Sequence, residues 1–91
     1  MNLQNNISIP ATVFAQIVDN EMVILDTKNE NYFGLDPIGT VMWEQLTQTG
    51  SIEKLYTYML EHYDVEEIIL KKDIEIFIQN LVKNRLIKLE E

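Results

Sequence analysis

Cysteine is absent from the 91 residues, which removes disulfides, thiolate nucleophiles and zinc–thiolate sites from consideration. Histidine occurs once, as His62, flanked by Glu61 and Asp64 at adjacent positions and not at the i, i+4 spacing that would converge on one helix face. A solvent-facing histidine is the expectation there, not a base or metal ligand. The chain has three glycines and two prolines, and Gly34, Gly39 and Gly50 stand apart, so no phosphate-cradling loop and no flexible linker can be read. Asp26, Asp36 and Asp64 fall at turns or caps without calcium-loop spacing. Glu66-Glu67 suits the positive end of a helix dipole. With no constellation that carries chemistry, the chain reads as a non-enzyme, with no cofactor and no metal.

Positive charge is also scarce. Seven Lys and Arg face fifteen Asp and Glu, for a net charge of −8, the wrong sign for a free-standing nucleic-acid binder. No apolar run approaches the ~20 residues that span a bilayer, and MNLQNNISIP has neither the basic start nor the apolar stretch of a signal peptide. The expected location is the cytoplasm, with neither membrane nor nucleic acid as partner.

What is present is a core: 46% of the residues are apolar, enough for one domain. Residues 1–10 are polar and expected to be a flexible N-terminus, leaving 11–91 as a single domain. Thr12–Val18 reads as a strand, Asp19-Asn20 as a turn, Met22–Leu25 as a central strand apolar on both faces, and Asn31–Leu35 as a third strand at the sheet edge. Alternation puts Phe33 and Leu35 on one face and Tyr32 and Gly34 on the other.

That third strand runs directly into a helix capped by Asp36-Pro37, because Asp36 can accept from the first free N–H groups and Pro37 has no N–H to leave unpaired. The helix is expected from Pro37 to about Gln48, with Ile38, Val41, Met42, Gln45 and Leu46 inward, Trp43 at the border and Gly50 as terminator. Ser51 caps a second helix, on which Ile52, Leu55, Tyr56, Met59, Leu60 and Tyr63 form one apolar stripe. A third helix begins near Val65 or Glu66 and continues to about Asn84. Leu86–Leu89 either adds a strand or packs. The fold class is α+β, winged helix-turn-helix-like, with a three-stranded antiparallel sheet followed by three helices.

The third helix carries two stripes. Leu70, Ile74, Phe77, Ile78 and Leu81 make one; Ile69 and Ile76 make a second about a quarter-turn away, with Asp73 between them and Asn80 near the second. A wide core face or a homodimer contact would use the second stripe, and so would a ligand groove.

The sequence YFGLDP (Tyr32–Pro37), then Gly39, Trp43 and Leu46, then Asp73, Phe77, Ile78 and Leu81, and finally Leu86-Ile87, resembles the PqqD-like family of RiPP precursor-peptide recognition elements. The resemblance spans about three-quarters of the chain. One departure is Arg85, where the family usually has Gly before the closing Leu; Asn84 is expected to take the left-handed cap instead. The resemblance implies a non-catalytic adaptor. Such domains bind the leader of a ribosomally made precursor peptide by strand addition to the third strand and a hydrophobic groove against the third helix. They present the precursor to a modifying enzyme: a lasso-peptide leader protease and cyclase, which we favour for a small stand-alone chain, or a radical SAM enzyme of the pyrroloquinoline quinone type. The candidate peptide contacts are then Asn29, Glu30, Asn31, Tyr32 and Phe33 on and before the strand, with Ile69, Lys72, Asp73, Ile76, Phe77 and Asn80 on the helix.

The alternative is a winged-helix DNA-binding regulator. It needs a basic recognition helix, whereas Lys71, Lys72 and Lys83 are offset by Glu66, Glu67, Asp73 and Glu75.

Overall fold

The computed structural model describes residues 2–90. Three strands form an antiparallel sheet in the order β2-β3-β4: β2 is Val13–Val18, β3 is Glu21–Asp26 and β4 is Asn31–Leu35. A shorter ribbon pairs β1, Asn6–Ser8, with β5, Lys88–Glu90. Between β4 and β5 lie α1, Pro37–Thr49, α2, Ile52–His62, and α3, Glu67–Lys83. The α+β, winged helix-turn-helix-like arrangement read from the sequence is the one observed.

Local chemistry sets each junction. Asp19 and Asn20 both hold positive φ, 52° and 68°, between the paired residues Val18 and Glu21. This two-residue turn has the twist that a hairpin requires. At the next turn, Asp26 Oδ1 accepts from the backbone N–H of Lys28 (3.1 Å) and of Asn29 (3.3 Å), and Oδ2 accepts from Asn29 Nδ2 (2.8 Å). Thr27 ties the turn to β2, donating through N–H (3.0 Å) and Oγ1 (2.7 Å) to the Thr12 carbonyl. Asp36 Oδ1 caps α1 by accepting from Gly39 N–H at 2.6 Å. A Cβ on Gly39 would stand 3.0 Å from that same oxygen, so a side chain there would push the capping carboxylate aside by a few tenths of an ångström. Gly50 ends α1 at φ 69°, and Ser51 Oγ caps α2 by accepting from Lys54 N–H at 3.1 Å.

α1 packs on β3 and β4 and on α2, and α2 packs on α3. Ile24, Leu46, Ile52, Leu55, Ile74, Ile78, Leu86 and Ile87 are the fully buried large side chains at the centre. The inward faces of α2 and α3 follow the expected stripes: Ile52, Leu55 and Met59 on one, Leu70, Ile74, Ile78 and Leu81 on the other.

Four expectations are corrected. The N-terminus is not loose over its length: Ile7 is buried, its N–H donates to the Gly50 carbonyl at 2.8 Å, and β1 pairs in register with β5 (Ile7 with Leu89). Ile7, with Leu3 packed beside the core, sufficed in a mostly polar run, because β5 supplies the backbone partners the segment lacks by itself. Met1 lies outside the described residues. α1 is rotated from the expected stripe, with Trp43 buried and Ile38 nearly half exposed. Helix three closes on Arg85 and not Asn84: Arg85 holds φ 61°, while Asn84 stays at φ −88°. Finally, Asp26 is more than a turn residue; it is buried on the inner face of β3.

Candidate peptide-binding groove

β4 pairs with β3 on one side only, so its other edge carries unpaired backbone N–H and C=O groups. The register sets which side chains face which way. Asn31, Phe33 and Leu35 stand opposite Asp26, Ile24 and Met22 on the inner face; Tyr32 and Gly34 stand opposite Leu25 and Val23 on the outer face.

Two depressions run along the space between β4 and α3. The larger, about 420 Å³, is bounded by Gly34 and Leu35 of β4, by Ile38 and Met42 of α1, by Asp73, Ile76, Phe77 and Asn80 of α3, and by Met59 and Leu70. The smaller, about 270 Å³, lies between Asn29, Asn31 and Phe33 on one wall and Lys83, Asn84 and Arg85 on the other, with Asp26 also on its border. The end of β4 therefore faces the middle of α3, and its start faces the C-terminus of α3: the two elements run in opposite directions along one groove. A Cβ added at Gly34 would meet nothing within 4 Å, so the missing side chain leaves open space at the end of this strand.

Seven of the candidate residues come together on these walls: Asn29, Asn31, Phe33, Asp73, Ile76, Phe77 and Asn80. Asn29 is there by its position, but its side-chain amide is already engaged by Asp26. Phe33 and Phe77 are half-buried and pack against the core, whereas Ile76 is 49% exposed and offers apolar surface to the groove. The other four line neither depression. Glu30 holds a left-handed turn position at φ 57°. Tyr32 is 75% exposed on the outer face of the sheet, in a row with Leu25 and Phe14. Ile69 and Lys72 are exposed on α3 away from the walls.

Sequence reasoning missed Leu35, Ile38 and Met42 at one end and Lys83, Asn84 and Arg85 at the other. Nothing in their local spacing marked them, because they border these depressions only through contacts between elements distant in sequence.

The electrostatic particulars are modest. The Asn29 side chain and the two backbone N–H groups hold the Asp26 carboxyl below its ordinary range, with burial opposing them. His62 stacks on Tyr58, ring centroids 3.9 Å apart, with Nδ1 2.9 Å from the Tyr58 carbonyl, at the exposed end of α2 and remote from the groove walls. Among the described residues, no group of three or more His, Asp and Glu side chains is placed to hold a metal ion. Nor is any helix long and apolar enough to cross a membrane.

A three-stranded sheet whose edge strand β4 faces a helix across a partly apolar groove defines the class: a small winged-helix-like domain that leaves its last meander strand uncovered. The family model described as coenzyme PQQ synthesis protein D (PqqD) matches residues 21–87, and the chain belongs to the PqqD family. Two solved structures share the fold. One is described as TbiB1 in complex with the TbiA(beta) leader peptide; it is 26% identical, with a TM-score of 0.83 over 89% of this chain and 94% of that one. The other, a lasso peptide synthetase B1 complexed with the leader peptide, is 19% identical, with a TM-score of 0.82 over 91% of this chain and 98% of that one. No curated protein sequence matches.

Proposed function

We propose that this chain is a non-catalytic adaptor that binds the leader segment of a ribosomally made precursor peptide and presents it to the modifying enzymes of its pathway. A lasso-type leader protease and cyclase are the favoured partners, ahead of a radical SAM enzyme. The observation that carries this reading is the uncovered edge of β4 beside the groove lined by Ile38, Ile76 and Phe77. An added strand would satisfy the free backbone groups of that edge and give affinity without demanding particular side chains. Alternate residues of the added strand would point into the groove, where the apolar walls confer selectivity, and over the outer face towards Tyr32. Support for leader binding comes from the two structures of this fold, both described with leader peptides, and the lasso assignment is favoured because one of them is described as a lasso peptide synthetase B1.

The test is titration of the chain with the fluorescein-labelled leader of the precursor encoded beside its gene. Saturable binding in the micromolar range or tighter is expected. No saturation at tens of micromolar overturns the reading. Amide exchange followed on the same complex should slow along Asn31–Leu35; unchanged exchange there, with binding intact, overturns strand addition but not peptide binding.

A further inference from the structure

In a chain of net charge −8, the seven Lys and Arg are not evenly spread. Lys28, Arg85 and Lys88 line a depression of about 710 Å³ beside the start of β4, whose apolar side is formed by Val82, Ile87 and Leu89. Arg85 is shared with the smaller depression of the groove, where Lys83 joins it. Four of the seven cations thus gather where the groove opens out past Asn31. Of the acids nearby, Glu30 stands in the turn before β4, and Asp26 and Glu90 are each engaged by hydrogen-bond donors. Asp26 borders both depressions, but it is buried and its two oxygens accept from Lys28, Asn29 and the Asn29 side chain. Glu90 Oε1 accepts from Ser8 Oγ at 2.5 Å. At the opposite end of the groove the titratable side chains are Asp36 and Asp73, so the groove changes sign along its length.

We propose that the cluster Lys28, Lys83, Arg85 and Lys88 is a binding site for an acidic segment of the same peptide, continuous with the part that adds to β4. The inference rests on the proposed function and extends it: it names the chemistry of the flanking segment and the end of β4 beside which that segment lies. A strand on the edge of β4 can run in either direction by backbone bonding alone. A groove with carboxylates at one end and four cations at the other prefers the orientation that brings an acidic flank over Lys83 and Arg85. The apolar side of the neighbouring depression would accommodate the stems of acidic residues and any aliphatic neighbours among them.

The experiment uses the fluorescein-labelled leader of the adjoining precursor and a second version with every Asp and Glu replaced by Asn and Gln. The native chain is compared with K83E/R85E/K88E, with the milder K83Q/K88Q, and with K54E/K71E as a control that changes charge away from the cluster. Folding of each is checked by the fluorescence of the buried Trp43. The expected result is a loss of roughly tenfold or more in affinity for K83E/R85E/K88E, a smaller loss for K83Q/K88Q, and less than twofold for the control. The neutralised leader should bind the native chain more weakly but lose nothing further on K83E/R85E/K88E. Binding of the native leader should also weaken as salt rises. Equal binding of the two leaders by the native chain overturns the proposal while leaving leader recognition standing. Salt-sensitive binding of a labelled duplex DNA oligonucleotide, together with equal binding of the two leaders, also overturns it. A native chain that binds neither leader overturns the proposed function itself, and with it this site.

Discussion

The backbone N–H of Leu86 donates to the carbonyl of Leu81 at 2.9 Å, spanning an arginine held at φ 61°. With the Arg85 N–H on the Val82 carbonyl at 3.0 Å, the pair closes α3 as a two-bond left-handed cap, which then directs Leu86 and Ile87 into the core. An L-residue in that conformation costs ~1–2 kcal/mol, against roughly 0.5–1 kcal/mol of extra chain entropy for glycine. Arg85→Gly should therefore raise stability by about 0.5–1 kcal/mol, a rise in Tm of a few degrees by thermal unfolding. The same variant should bind the leader less well if Arg85 holds an acidic flank. An unchanged or lower Tm would show that the arginine side chain contributes to folding more than its backbone costs.

Why this cap escaped sequence reading is instructive. Asn is the better left-handed former of the two candidates, and a propensity argument chooses Asn84. Position along the helix decided instead: α3 continues to Lys83, which makes Asn84 the last half-helical residue, and its Nδ2 bonds back to the Asn80 carbonyl at 2.8 Å. The same limit applies to Ile7 and Ile38. Their fates depend on β5 and α3, which are distant in sequence, whereas the Asp36 cap, the Asp19-Asn20 turn and the stripes of α2 and α3 are set by near neighbours and were legible. Of the candidate site, the β4 edge and the Asp73–Asn80 wall were legible for the same reason. The basic end was not, because Lys28 and Lys83–Lys88 meet only through the tertiary fold.

Thr40 faces inward from α1, and its Oγ1 has no hydrogen-bond partner although the residue is buried. An unsatisfied buried hydroxyl costs ~1–3 kcal/mol, and valine fills nearly the same volume without it. Thr40→Val should raise the urea midpoint, by an amount corresponding to about 1 kcal/mol, with an unchanged m value. A lower midpoint would mean that the hydroxyl is satisfied in solution.

Asp26 links stability to acid. Its folded-state pKa lies below the ordinary carboxylate value, chiefly because of the Asn29 side chain, so its contribution is present above the unfolded-state pKa of ~3.9 and is lost as pH falls through the lower folded value. The difference in urea midpoint between the native chain and Asp26→Asn should be constant from about pH 7 to pH 5 and shrink progressively below about pH 4. Asn29→Ala should reduce the same acid dependence. A difference that persists undiminished to the lowest accessible pH would sink the assignment.

The two isoleucines of the second α3 stripe separate the sequence pattern from the geometry. Both are about half exposed, Ile69 at 51% and Ile76 at 49%, so neither contributes much to the core and an aspartate at either should leave folding within about 0.5–1 kcal/mol of native. Only Ile76 lines the groove. Covering its side chain is worth ~1.5–3 kcal/mol when complete, and a carboxylate there must also be desolvated against the peptide. Ile76→Asp should weaken leader binding by roughly 10- to 100-fold, and Ile69→Asp by less than about threefold, each measured by titration of the labelled leader. Equal losses at both positions would mean that the peptide crosses the exposed face of α3 instead of lying between α3 and β4. No loss at Ile76 would remove the groove from the binding site and leave the β4 edge alone to account for any affinity.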